Sequence, residues 1–113
     1  MLIIYLSSHV SHRSLNVRKT AAQYLAMVVE KMGPNKCLLG PRDVAEHLLP
    51  ATAKFVQDSS SLTRFYGRVI FAALYQHPQF EKLMRKFLSP PTYRTVSGIL
   101  ETIKRRVIIL NYP

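Results

Sequence analysis

Apolar residues recur at steps of three and four along most of the chain, and nowhere do they alternate long enough for a strand, so the pattern predicts helices throughout. Residues 1–9 place Leu2, Ile3 and Leu6 on one side of two helical turns and read as the end of a truncated helix. The clearest period runs over residues 15–32, where Val17, Ala21, Tyr24, Leu25, Val28 and Met32 form one stripe behind a polar turn. Asn16 is the expected N-cap of this helix, because its side-chain oxygen suits an unpaired first-turn N–H. Gly33 and Pro34 stop it, and a loop is expected through residues 35–40. Pro41 suits the first position of a third helix with Val44, Ala45, Leu48, Leu49, Phe55 and Val56 inward, which Pro50 is expected to kink or split near Leu49.

Asp58, Ser59, Ser60 and Ser61 form a second capping turn ahead of a fourth helix, residues 62 to about 77. Its Leu62, Phe65, Tyr66, Val69, Ile70, Ala73 and Leu74 cover more than one face, so Phe65, Tyr66 and Phe71 read as core. Residues 79–88 give a short helix with Phe80, Leu83, Met84 and Phe87 inward and Lys82, Arg85 and Lys86 outward. Beyond Pro90 and Pro91, residues 92 to about 107 carry Val96, Ile99, Leu100, Ile103 and Val107 at helical spacing, and residues 108–113 extend that helix or form an apolar tail.

The second and fourth helices share a layout at an offset of 46 residues: Arg64 stands where Arg18 stood, Gly67 where Ala21 stood, Leu74 where Val28 stood. A period of about 40 to 47 residues belongs to stacked helix pairs. The expected fold is all-α, a right-handed α-α superhelix of the HEAT/armadillo-like solenoid kind, with five or six helices in antiparallel pairs and a single domain over residues 1–113.

Composition narrows function more than fold. Sixteen Lys and Arg against six Asp and Glu give a net charge of +10, so acidic surfaces are the natural partners: nucleic acid, anionic membrane or acidic protein. A single cysteine, Cys37, leaves no internal disulfide and no Cys-rich zinc site. His9 and His12 can share a helical face but have no third ligand beside them, so no metal is expected. No paired carboxylates, activated nucleophile or Gly-rich phosphate loop stands in the sequence, which argues against an enzyme and against any cofactor or small-molecule substrate. No apolar run reaches the 18 or so residues of a membrane span, so no membrane partner is expected. Lys104, Arg105 and Arg106 read as helix C-terminal cations rather than a nucleic-acid patch.

Two runs resemble a known family. His12-Arg13-Ser14-Leu15-Asn16-Val17-Arg18-Lys19, with Ala21, Ala22 and Leu25, is similar to the turn and second helix of a HEAT repeat in a TOG domain, the tubulin-binding module. Asp58-Ser59-Ser60-Ser61-Leu62-Thr63-Arg64-Phe65-Tyr66-Gly67-Arg68, then His77-Pro78-Gln79-Phe80 and a closing basic helix, resembles the end of TOG domains in the crescerin family, the TOG array regulators of axonemal microtubules. The resemblance covers about residues 9–107 and implies the later repeats of one TOG domain, with residues 108–113 outside the family pattern. It implies a tubulin-binding edge made of the turns at residues 11–16 and 58–61, placing His12, Arg13, Asn16, Arg18, Lys19, Ser60 and Arg64 at or just behind it. Microtubules would be the partner, and the cytoplasm, the cytoskeleton and the cilium the setting.

The residues keep other readings open. An arginine at a repeat helix start also braces the neighbouring turn or pairs with an acid such as Asp58. A generic helical scaffold would bind protein through its end faces, with self-association of an otherwise monomeric chain through Leu2, Ile3 and Leu6. Nucleic-acid binding ranks third, because the aromatic residues read as internal rather than interleaved with the cations.

Overall fold

Serine caps and prolines set the helix starts. The computed structural model describes residues 2–111, with side chains as far as Arg106, and contains α1 (Leu2–Ser7), α2 (Leu15–Leu39), α3 (Arg42–Phe55), α4 (Ser61–Leu74), α5 (Phe80–Phe87) and α6 (Pro90–Asn111). Ser14 caps α2 by accepting from the Val17 N–H, and Ser60 caps α4 by accepting from the Thr63 N–H. Ser89 does the same for α6 through the Thr92 N–H, just ahead of Pro90 at a position where a missing N–H is harmless. The expected tail at residues 108–113 is helical backbone as far as Asn111; the rest of that expectation lies outside the described residues.

Short turns fold the chain back on itself, so α1 packs on α2, α3 on α4 and α5 on α6 as antiparallel pairs. Successive pairs then stack: α1, α3 and α5 adjoin in one layer, and α2, α4 and α6 in the other. This is the expected all-α, HEAT-like arrangement, with no strand among the described residues. The core lies between the layers, around Leu25 and Val29 of α2, Leu48, Leu49 and Phe55 of α3, and Ile70, Phe71 and Leu74 of α4. Phe71 meets Phe80 of α5 edge to face with ring centroids 5.9 Å apart, which carries the core into the third pair.

Several expectations change. The cap of α2 is Ser14, and Asn16 lies exposed in the first turn. Gly33 breaks α2 by adopting φ 81°, a conformation that costs a side-chain-bearing residue dearly, but the helix resumes at once. Residues 35–39 are therefore helical rather than loop, because Pro34 opens a new first turn and Cys37 and Leu38 bury their side chains beneath it. Burial pushes the Cys37 thiol up to about 11, so it stays protonated and unreactive at neutral pH. Nor does Pro50 split α3: Leu48, Leu49, Ala51, Ala53 and Phe55 are all buried, and that packing outweighs one lost backbone bond. On α2 the buried side is Ala21, Ala22, Leu25, Ala26 and Val29, while Tyr24 faces outward, as does Leu2 on α1.

Gly67 sets the distance between α3 and α4. A Cβ there would stand 2.8 Å from Val56 Cγ1, 2.9 Å from the Val56 backbone N and 3.1 Å from the Phe55 carbonyl carbon. Backbone atoms cannot swing aside, so α4 would have to move off the end of α3. Gly67→Ala is expected to destabilise the fold by about 1 to 2 kcal/mol, an overpacking cost only partly offset by alanine's better helix propensity. Gly98 in α6 has nothing within 4 Å of its Cβ position, so Gly98→Ala should stabilise by up to about 1 kcal/mol. Urea denaturation of both variants checks the pair; equal signs would remove the close-approach account.

Candidate functional site

The turns inside the helix pairs, residues 8–14, 56–60 and 88–89, fall along one edge of the stack, because every pair reverses direction at the same end. Their geometry follows the 46-residue offset. At the first turn the Arg18 Nη1–H donates to the carbonyls of His12 and Arg13, at 2.9 and 3.3 Å. At the second turn the Arg64 Nη1–H donates to the carbonyls of Asp58 and Ser59, at 2.8 and 3.1 Å. Each arginine clamps the turn that leads into its own helix, at the same two positions relative to its serine cap.

Arg18 does one thing more. Its Nε–H and Nη2–H donate to the Asp58 carboxylate, Nε to Oδ2 at 2.7 Å and Nη2 to Oδ1 at 3.3 Å, in the paired geometry that suits a planar guanidinium. The side chains of Arg18 and Asp58 are only 17% and 7% exposed. Asp58 Oδ1 also accepts from the Ser60 N–H at 2.9 Å, so one carboxylate joins the first turn to the cap of the second. Burial works against the Asp58 charge, yet the bonds from Arg18 and the Ser60 N–H, with the nearby Arg18 and Arg64 charges, hold its pKa below the ordinary value. The same bond raises the pKa of Arg18.

The corresponding fork of Arg64 is unused: among the described residues its Nε–H and Nη2–H have no hydrogen-bond partner. Two residues before the next cap, Ser89, stands Phe87, where the earlier turn has Asp58. Arg64 is half-buried, and Leu62 and Phe65 in the same first turns of α4 are 52% and 53% exposed.

The remaining expected site residues divide by burial. His12, Arg13 and Asn16 are exposed and Lys19 is half-exposed; the His12 Nδ1 accepts from the Ser14 N–H at 3.0 Å and so helps close the first turn. Ser60 spends its hydroxyl on the cap. His9 and His12 stack with ring centroids 6.3 Å apart, and no group of three metal-ligating side chains exists among the described residues. His47 bonds the Asp43 carbonyl at 2.8 Å, and His77 reaches Asn35 Oδ1 at 2.7 Å, tying the end of α4 to the second part of α2. Lys104 lies 3.7 Å from Glu101, an exposed pair of little consequence.

Exposed apolar residues at the edge were the part missed. Phe65 and Leu62 read as core by helical spacing, but α4 buries Thr63, Gly67, Ile70, Phe71 and Leu74 instead, and Phe65 leans edge-on against Tyr66 at 5.4 Å on the outer surface. The repeat held the signal: 46 residues earlier stand Asn16 and Lys19, polar residues on the outer side of α2. Leu15, 46% exposed, adds an apolar residue to the first turn.

The ion pair gives the fold a pH dependence whose sign is fixed. A carboxylate with its folded pKa lowered stabilises the fold above its unfolded value and loses that contribution as pH falls through the folded value. Asp58→Asn keeps an acceptor for the Ser60 N–H but removes the charge. It should lower the melting temperature by several degrees at pH 7, with the gap to wild type narrowing below about pH 4 and closing once the folded carboxylate is protonated. A gap independent of pH would show that the charge pair does not hold the two turns.

No family model matches the chain and no solved structure matches it. TOG array regulator of axonemal microtubules protein 1 of Mus musculus is 50% identical over 78 residues, which is 69% of this chain and 4% of that protein. The chain therefore spans a small fraction of that relative's length. At half identity across more than two-thirds of its residues, on a HEAT-like stack, the chain belongs over its matched segment to the TOG array regulator of axonemal microtubules family.

Proposed function

We propose that the chain is a non-enzymatic tubulin-binding segment, the later repeats of one TOG-type domain, which docks its turn edge on an acidic tubulin surface and serves microtubule assembly or stability in cilia. The observation that carries this reading is the unused Arg64 fork. The same fork on Arg18 holds a carboxylate, so the local backbone already presents this guanidinium in a carboxylate-binding pose. Exposed Leu62 and Phe65 in the first turns of the same helix supply the apolar area that a charged contact needs in order to exclude water, and Arg13 and Lys19 extend the basic edge. The named relative, a regulator of axonemal microtubules, supplies the choice of partner and setting.

Of the seven site residues, this reading gives Arg64, Arg13 and Lys19 to direct contact, and Arg18 and Ser60 to holding the turns. His12 and Asn16 flank the contact. Chemistry on a substrate has no place in it.

Binding of purified tubulin to the intact chain should weaken as salt rises, because much of the attraction is between charges. Arg64→Glu and Phe65→Ala should each weaken it at least about tenfold, the effect of losing roughly 1.4 kcal/mol or more at a contact centre. A titration of wild type and both variants, with a competing RNA in a parallel arm, decides the matter. Unchanged affinity in both variants would remove the site, and displacement of tubulin by RNA at equal charge would favour the nucleic-acid reading.

A further inference from the structure

Ser89 and Pro90 stand where α5 turns into α6, and the function proposed above leaves them unused. Of the seven prolines in the chain, only Pro90 follows a serine or threonine, which is the dipeptide that proline-directed protein kinases modify. Ser89 is exposed. That exposure comes with its place in a turn inside a helix pair: Ser59 and Ser61, at the turn of the middle pair with a pair packed on either side, are exposed as well.

The turn opens by breaking few bonds. Leu88 is already extended, at φ −104° and ψ 145°. Pro90 and Pro91 have no N–H to give, so drawing out the start of α6 breaks the bond of the Thr92 N–H to the Ser89 hydroxyl at 3.4 Å, that of the Tyr93 N–H to the Ser89 carbonyl at 2.8 Å, and the hydroxyl's own bond to Thr92 Oγ1 at 2.9 Å. Leu88 and Pro90, on either side of Ser89, line a hollow of about 280 Å³ together with Arg85, Tyr93 and Arg94. Arg85 lies over the Tyr93 ring at 5.4 Å and reaches Glu81 only at 3.5 Å, and Arg94 has no ion-pair partner among the described residues.

We propose that Ser89 is a phosphorylation site, and that its phosphate weakens the attraction of the turn edge for an acidic partner. In the transfer, Ser89 Oγ attacks the γ-phosphorus of ATP held by the kinase. The Oγ–P bond forms, the bond from that phosphorus to the β–γ bridging oxygen breaks, the hydroxyl proton passes to the catalytic carboxylate of the kinase, and ADP leaves. The phosphoserine carries about −1.5 to −2 charge at pH 7 beside Arg85 and Arg94. Charge-assisted bonds to those two guanidinium groups fasten the end of α5 to the start of α6, and the third turn ceases to be basic. The effect on the partner rests on the tubulin-edge reading, whereas the modification and its hold on the fold do not.

Incubation of the intact chain with a proline-directed serine kinase and ATP, followed by peptide mass spectrometry, tests the site. One phosphate should enter at Ser89, and none in Ser89→Ala or Pro90→Ala. The phosphorylated chain should melt a few degrees above the unmodified one, a rise that disappears when Arg85→Gln and Arg94→Gln are combined. Its affinity for tubulin should fall at least about threefold at low ionic strength, with the difference fading as salt rises. Phosphate uptake by a peptide of residues 84–95 but not by the intact chain would overturn the proposal. So would a melting temperature that falls on modification or rises without the two arginines. Unchanged tubulin affinity after full modification would overturn the effect on the partner. Failure of the unmodified chain to bind tubulin would instead remove the tubulin reading, and phosphate uptake and melting would then decide the site alone.

Discussion

The contact on which the rest depends is the one between Arg18 and Asp58. Apolar burial pulls the helix pairs together but has no direction, so it does not by itself fix how far one pair slides along the next. A planar guanidinium does. With Nη1 on two carbonyls of its own turn, and Nε and Nη2 on the carboxylate of the following turn, Arg18 sets the first turn level with the second to within a hydrogen bond. Partial burial is what gives this pair its hold. The pair of Arg85 and Glu81, with side chains 69% and 54% exposed, is screened by water and does nothing comparable.

The same local chemistry then repeats and stops. Serine cap, arginine four residues on and carbonyls one and two residues before the cap recur unchanged at Ser60 and Arg64. At Ser89 the cap survives, but Phe87 and Tyr93 occupy the positions of the aspartate and the arginine. Their rings are used otherwise: Arg42 and Lys86 lie over Phe87 at 5.9 and 5.5 Å, and Arg85 lies over Tyr93 at 5.4 Å, while the Tyr93 hydroxyl bonds Glu81. The third pair is thus fastened by aromatic and cationic contacts, and the carboxylate ladder ends at Arg64 with its Nε–H and Nη2–H donors unspent.

How much of this was legible from residues alone depended on which signal was consulted. Helical spacing placed the helices and most of the core, because Val44, Leu48, Leu49, Met84, Val96 and Leu100 have no second face to choose from. It failed where a helix is apolar on two sides. Tyr24 lies three residues from buried Ala21 and Phe65 four from partly buried Val69, and only the stacking order decides which stripe is covered. The 46-residue offset carried that order, since Lys19 stands at the position of Phe65 and marks it as outer surface. Asn16 lost the cap to Ser14 because the Arg18 clamp on His12 and Arg13 ends the turn there, as the Arg64 clamp does at Ser60. Gly33 and Pro34 gave the break correctly but not the resumption, which the burial of Cys37 and Leu38 decides. Of the edge, the cations were legible and the exposed leucine and phenylalanine were not.

Two surfaces of opposite character result from one repeat unit. Along the turn edge, fixed backbone holds cations in place with exposed apolar residues in the same turns, so its attraction for an acidic surface would strengthen as salt falls. Across the α1–α2 face other positions of the repeat carry tyrosine, leucine and methionine with little charge beside them, so that surface favours apolar cover rather than counter-charge. The surfaces do not compete for residues: Arg64, Leu62 and Phe65 belong to the second pair, and Leu2, Tyr5 and Tyr24 to the first.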